Sequence, residues 1–218
     1  MNRLSKKAVA MIALGAFILL VAAAPFAVQA AQGDKHGPGF GQHQFDPDKA
    51  AGRLADTFGM SKETILDQHN KGVKFRDIGR AAFLAKASNK PLDEVLALKT
   101  ADNKWRDVAQ TLGITKEQMK ATRQALAADR LSNKLGFDRQ ATLGLLEQGY
   151  RTRDVAVAGL LAQDTGKTSQ EILGLKKINN SWRDVAQTLG VSKDTMKQDA
   201  EKLRQAFGRP GHHAHRTF

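Results

Sequence analysis

The sequence predicts an all-α protein: two tandem 77-residue repeats of short αα-hairpins, arranged as an orthogonal bundle or a short solenoid. Three observations carry this. Lys104-Trp105-Arg106-Asp107-Val108-Ala109-Gln110-Thr111-Leu112-Gly113 returns 77 positions later as Ser181-Trp182-Arg183-Asp184-Val185-Ala186-Gln187-Thr188-Leu189-Gly190. With that same ungapped offset, roughly four in ten positions are identical between 53–120 and 130–197, which is the mark of a repeat architecture. Strand signals are missing: there is no sustained alternation, few aromatic residues and no run of β-branched ones.

Each copy contains a finer repetition. Leu54–Leu66, Val108–Lys120, Leu131–Leu143 and Val185–Lys197 share one plan. An apolar helical stretch ends at Gly59, Gly113, Gly136 or Gly190, where the left-handed backbone that closes a helix suits glycine. An apolar residue follows, then a capping residue (Ser61, Thr115, Asp138 or Ser192), then a second helical stretch. Thr115 with Gln118 and Thr168 with Glu171 have the spacing of capping boxes, and Ser181 with Asp184 gives a weaker version. Between the hairpins, Arg76–Ala87 and Arg153–Asp164 read as helices ended by Asn89 and Gly166. Short helices follow over Pro91–Lys99 and Ser169–Lys177, giving about six helices per repeat.

The chain divides accordingly into 1–30, 31–48, 49–126, 127–205 and 206–218. In the first segment Arg3, Lys6 and Lys7 precede the apolar run Ala8–Ala24, and Val28-Gln29-Ala30 offers a small-residue cleavage site. This reads as a signal peptide cut after Ala30, leaving no transmembrane segment and an exported protein, periplasmic, cell-surface or extracellular. Removing those three cations and no acid takes the formal net charge from +12 to +9. With no cysteine there are no disulfides, no thiolate metal site and no lipid-attachment site, so stability rests on packing. Residues 31–48 form a Gly/His-containing lead-in, and 206–218 a basic tail.

The hairpins Arg106–Lys120 and Arg183–Lys197 resemble the helix-turn-helix of DNA-binding regulators. In such proteins the second helix enters the major groove. The resemblance implies that Thr115, Lys116, Gln118 and Lys120, and Ser192, Lys193, Thr195 and Lys197, face nucleic acid. The same letters are what any tight αα-hairpin needs, so hairpin geometry alone also accounts for them. The pattern is further similar to the Trp-Arg/Gly-Asp/Glu-Ile/Val-Ala repeats of uncharacterised exported bacterial proteins, which implies an envelope location. Ile114 followed by Thr115-Lys116-Glu117-Gln118 resembles the Leu-Thr-x-x-Gln motif of small helical periplasmic chaperones.

Other residues have local readings. Trp105 and Trp182 each stand just ahead of a helix and are expected to pack over its first turn, with the indole N–H on a local partner. The Arg-Asp pairs at 76–77, 106–107, 153–154 and 183–184 place a carboxylate at the positive end of a helix dipole. His212, His213 and His215 in the tail, with His36 and His43 in the lead-in, suit weak capture of zinc, copper or nickel. His69 is expected at the surface.

There is no phosphate-cradling glycine loop, no His-Glu-x-x-His and no Gly-x-Ser-x-Gly, so no enzyme, cofactor or small-molecule substrate is expected. The basic excess favours anionic partners through long-range electrostatics. The expectation is a non-enzymatic binding or scaffolding protein whose partner is an anionic envelope polymer or a protein. Its anion-binding candidates are Lys116, Gln118, Lys120, Lys193, Thr195 and Lys197. Non-specific nucleic-acid binding, and a periplasmic chaperone or metal-stress role, stand as alternatives.

Overall fold

Helix starts and stops are set by local cap chemistry along the whole chain. The computed structural model describes residues 45–208. Among these, eleven α-helices and no strand are found. They are α1 (Pro47–Phe58), α2 (Lys62–Asn70), α3 (Phe75–Ser88), α4 (Leu92–Ala97), α5 (Trp105–Thr111) and α6 (Lys116–Leu135). Then come α7 (Arg139–Glu147), α8 (Thr152–Thr165), α9 (Ser169–Leu175), α10 (Trp182–Thr188) and α11 (Lys193–Phe207). The fold is all-α, and no helix among the described residues is long and apolar enough to cross a membrane.

The expected caps are in place. Ser61, Thr115, Asp138 and Ser192 each accept a hydrogen bond from the backbone N–H three residues on. Each supplies a partner that the first turn of a helix otherwise lacks. Gly113 and Gly190 sit at φ 65° and 74° and reverse the chain into α6 and α11. Asn89, the one described non-glycine residue with positive φ (54°), closes α3, as Gly166 at 69° closes α8.

Helices α2, α3, α4 and α5 begin 77 residues before α7, α8, α9 and α10, and α6 begins 77 before α11. The exception is α1. Its counterpart 77 residues on, 124–135, is the second part of α6. Residues 116–135 contain neither Gly nor Pro but do contain the strong helix formers Ala121, Ala125, Ala127 and Ala128. The closing helix of one hairpin set therefore runs straight into the opening helix of the next. The expected border between 126 and 127 falls inside this helix, beside buried Leu126 and Ala128.

Packing follows the same correspondence. Helix α1 packs on α2, α3 and α6, as α6 packs on α7, α8 and α11. Helix α3 packs on α4 and α6, as α8 packs on α9 and α11. Two apolar cores result. One gathers Ile65, Ile78, Val95 and Val108 with Ala51 and Ala81, and the other Leu131, Val155, Ile172 and Val185 with Ala128 and Ala158. The described helices belong to one compact unit.

Candidate functional site

The tryptophans fix how the fifth helix of each half meets the third. Trp105 Nε1 donates to Asp77 Oδ1 at 2.9 Å, and Trp182 Nε1 to Asp154 Oδ1 at 3.0 Å. These partners lie 28 residues upstream, so the indole N–H is not satisfied locally as the sequence suggests. The four Arg-Asp pairs thereby split into two jobs. Asp77 and Asp154 anchor an indole, while Asp107 and Asp184 accept from the backbone N–H of Lys104 and Ser181, closing the caps of α5 and α10. Those two bonds, with the Ser181 hydroxyl, hold the Asp184 carboxyl below the usual carboxylate range.

In the first half, the space between α1, α3, α5 and the start of α6 is an open groove of about 1640 Å³. Its apolar lining comes from Leu54 and Phe58 of α1, Phe75, Phe83 and Leu84 of α3, and Trp105 and Ala109 of α5. Ile114 and Met119 complete it at the hairpin and on α6. Around this lining stand seven cations. Arg76 and Arg80 come from α3, Lys99 and Lys104 from the connection between α4 and α5, Arg106 from α5, and Lys116 and Arg123 from α6. Only one carboxylate, Asp77, shares the groove, and it is engaged by Trp105 and by Arg80 at 3.5 Å.

Elsewhere most ion pairs are local, such as Lys71–Asp67 and Lys197–Asp194. Among the described residues, Arg76, Lys99, Lys104, Arg106, Lys116 and Arg123 form no salt bridge. Six unpaired cations around one apolar cleft repel one another, and that repulsion is relieved by an anion. The Arg123 guanidinium lies 5.6 Å from the centre of the Phe83 ring, a cation–π approach that holds its head over the groove.

The positions 77 residues on build no such groove. Arg80, Phe83, Lys104 and Arg123 correspond to Val157, Leu160, Ser181 and Ala200. Met196 packs on the second core, whereas its counterpart Met119 lines the cleft. The second half instead has a smaller recess of about 630 Å³ between α7, α8 and α9, on the far side of that core.

The anion-binding residues expected from the sequence separate. Lys116 lines the groove. Gln118 Oε1 accepts from Thr115 N–H at 2.8 Å, so this amide is used as a cap. Thr195 is tied to Ser192 through its backbone N–H and its hydroxyl. Lys197 pairs with Asp194 at 2.9 Å, and Lys120 and Lys193 are exposed outside the groove. His69 is half-buried, not at the open surface: its ring lies 4.1 Å from that of Phe75, with Nδ1 3.2 Å from the carbonyl of Val73.

His212, His213 and His215, His36 and His43, and the signal segment lie outside the described residues. Within the described residues no cluster of three or more His, Asp or Glu is arranged to hold a metal.

Sequence reasoning missed Arg76, Arg80, Lys99, Lys104, Arg106 and Arg123 as members of one site. A signal was present. At 80, 104 and 123 the first copy carries a cation where the second carries Val, Ser or Ala. Comparison with protein-family models, with curated proteins and with solved structures gave no match to this chain.

Proposed function

We propose that the chain is an exported, non-enzymatic binding protein of the cell envelope or extracellular space. It is built as two tandem 77-residue units, of which the first holds an anionic partner in the groove between α1, α3, α5 and α6. The observation that carries this reading is the set of seven cations facing one engaged carboxylate around an apolar cleft. Export rests on the basic start, apolar run and Val28-Gln29-Ala30 site of the first thirty residues. The tandem reading rests on the matching sequence and the 77-residue spacing of helix starts.

The reading is tested with polyphosphate as the probe, titrated across a salt series. Binding should weaken by at least ~10-fold between about 50 and 200 mM salt, because neutralising several anionic groups releases their counterions. It should also weaken in the double variant Arg76→Glu/Arg106→Glu and survive in Arg153→Glu/Arg183→Glu, which makes the same change of charge at the equivalent positions. Equal loss in both variants, or binding indifferent to salt, would sink the groove as the anion site.

A further inference from the structure

The groove has a direction. Three of its walls are cationic: α3, the segment from Lys99 to Arg106, and α6. The fourth wall, α1, contributes only Leu54, Thr57 and Phe58. A ligand that fits such a site has a charged end and an apolar end. A bare polyanion would leave the α1 wall and the apolar floor unused, and an acidic amphipathic helix would need cations along both flanks.

The aromatic rings narrow the choice further. Single-stranded nucleic acids bind by laying bases on open aromatic faces. Phe83 already carries Arg123, and Phe75 already packs on His69 and, at 5.6 Å, on Phe45. The Trp105 indole is fixed edge-on by Asp77. Bases would have to displace these partners, whereas an aliphatic chain only needs apolar surface. Four of the seven cations are arginines, whose planar forks match phosphate oxygens in pairs. A phosphate monoester brings about −1.5 to −2 charges at neutral pH, more than a single carboxylate, and so answers the clustered charge better.

Resting on the anionic-partner reading above, we propose that the groove is a site for an acyl lipid with a phosphorylated headgroup. Its tail lies along the α1 wall over Phe58, Ile114 and Met119, and its phosphate meets Arg76, Arg106 and the neighbouring cations. Arg123, poised over Phe83, closes on the headgroup from α6.

The test uses protein recovered from cells expressing the full-length chain and lysophosphatidic acid kept below its micelle concentration. The comparison probes are lysophosphatidylcholine with the same tail, glycerol phosphate, and oligothymidylate. Lysophosphatidic acid should bind at least ~10-fold more tightly than each of the three, a difference of about 1.4 kcal/mol. Its affinity should rise about twofold or more for each methylene added to the tail, since a fully buried methylene is worth more than that. That series needs no variant and so does not depend on any variant folding. Arg76→Glu/Arg106→Glu should cost at least ~10-fold in affinity, with Arg153→Glu/Arg183→Glu close to wild type.

Affinity independent of tail length, or equal loss in the two variants, overturns the lipid assignment. So does tighter binding of oligothymidylate, which would make nucleic acid the occupant. If lysophosphatidic acid fails while polyphosphate still depends on Arg76 and Arg106, the lipid inference falls and the anionic-partner reading stands. If polyphosphate also ignores that pair, both fall together.

Discussion

The two halves of the described chain share their helix starts, their caps and the tryptophan–aspartate bond, yet they spend the same space differently. In the first half, bulky or charged residues at 75, 80, 83 and 123 surround an open cleft. In the second, Thr152, Val157, Leu160 and Ala200 take those places, and Met196 joins the core. The recess on the opposite side shows the reverse trade. Phe137 fills it and presses on Gly159, where a Cβ would come within 2.4 Å of the ring. The equivalent positions in the first half are Met60 and Ala82. One set of helices thus supports two interiors: the backbone plan tolerates substitution while the side chains decide where space is left.

The comparison is broken hardest at the helix that both halves use. Ala127→Pro in the middle of α6 removes a backbone hydrogen bond and clashes with the preceding turn, at a cost of about 3 kcal/mol or more. Because α6 packs on helices of both halves, they should weaken together, giving one lowered unfolding transition by calorimetry. Two separated transitions, with the first half unchanged, would show that the halves are independent.

The next effect is confined to the second half. Gly159→Ala should cost about 1–3 kcal/mol in urea unfolding, the usual range for overpacking a filled core. Adding Phe137→Met, which installs the pair found at 60 and 82, should recover most of it. Failure of the double variant to recover would mean the two recesses differ in backbone as well as in side chains.

The smallest effect concerns charge. Asp164 of α8 lies against Asp199 of α11, positions occupied by Ala87 and Thr122 in the first half. Burial, then hydrogen bonding to Asp199 and the charge of Asp199, raise the Asp164 carboxyl above its ordinary 3.8, with Lys202 opposing. A raised carboxyl favours the folded state while it is protonated. That contribution is present below the ordinary value and lost as pH climbs through the raised one. Asp164→Ala should therefore stabilise the protein near pH 7, by less than about 1 kcal/mol for a group this exposed, and give no gain near pH 3. An equal gain at both pH values would remove the carboxyl pair as the cause.

What the sequence made readable was local. Caps at Ser61, Thr115, Asp138 and Ser192 and stops at Asn89 and Gly166 depend on a few adjacent residues, so their letters suffice. What it hid was separated along the chain. The indole of Trp105 finds a carboxylate 28 residues away, and nothing near Trp105 announces that choice. The continuity of α6 hangs on an absence, that of any Gly or Pro between 116 and 135, where a border between units was expected. The anion site was sought on the second helices of the hairpins, where Gln118 and Thr195 turn out to be caps. It lies instead where four elements converge, and only their packing brings Arg76, Arg106 and Lys116 together.

The uninterrupted α6 also bears on how such a gene can change length. A recombination that joins any position to the one 77 residues further on, such as Phe58 to Gly136, removes one set of helices. It leaves every remaining junction of a kind the fold already contains. The reciprocal product gains a set on the same terms. With no linker to be cut in the right place, crossovers all along the matching stretch are equally permitted, so growth and shrinkage by whole units are open to this chain by single genetic events.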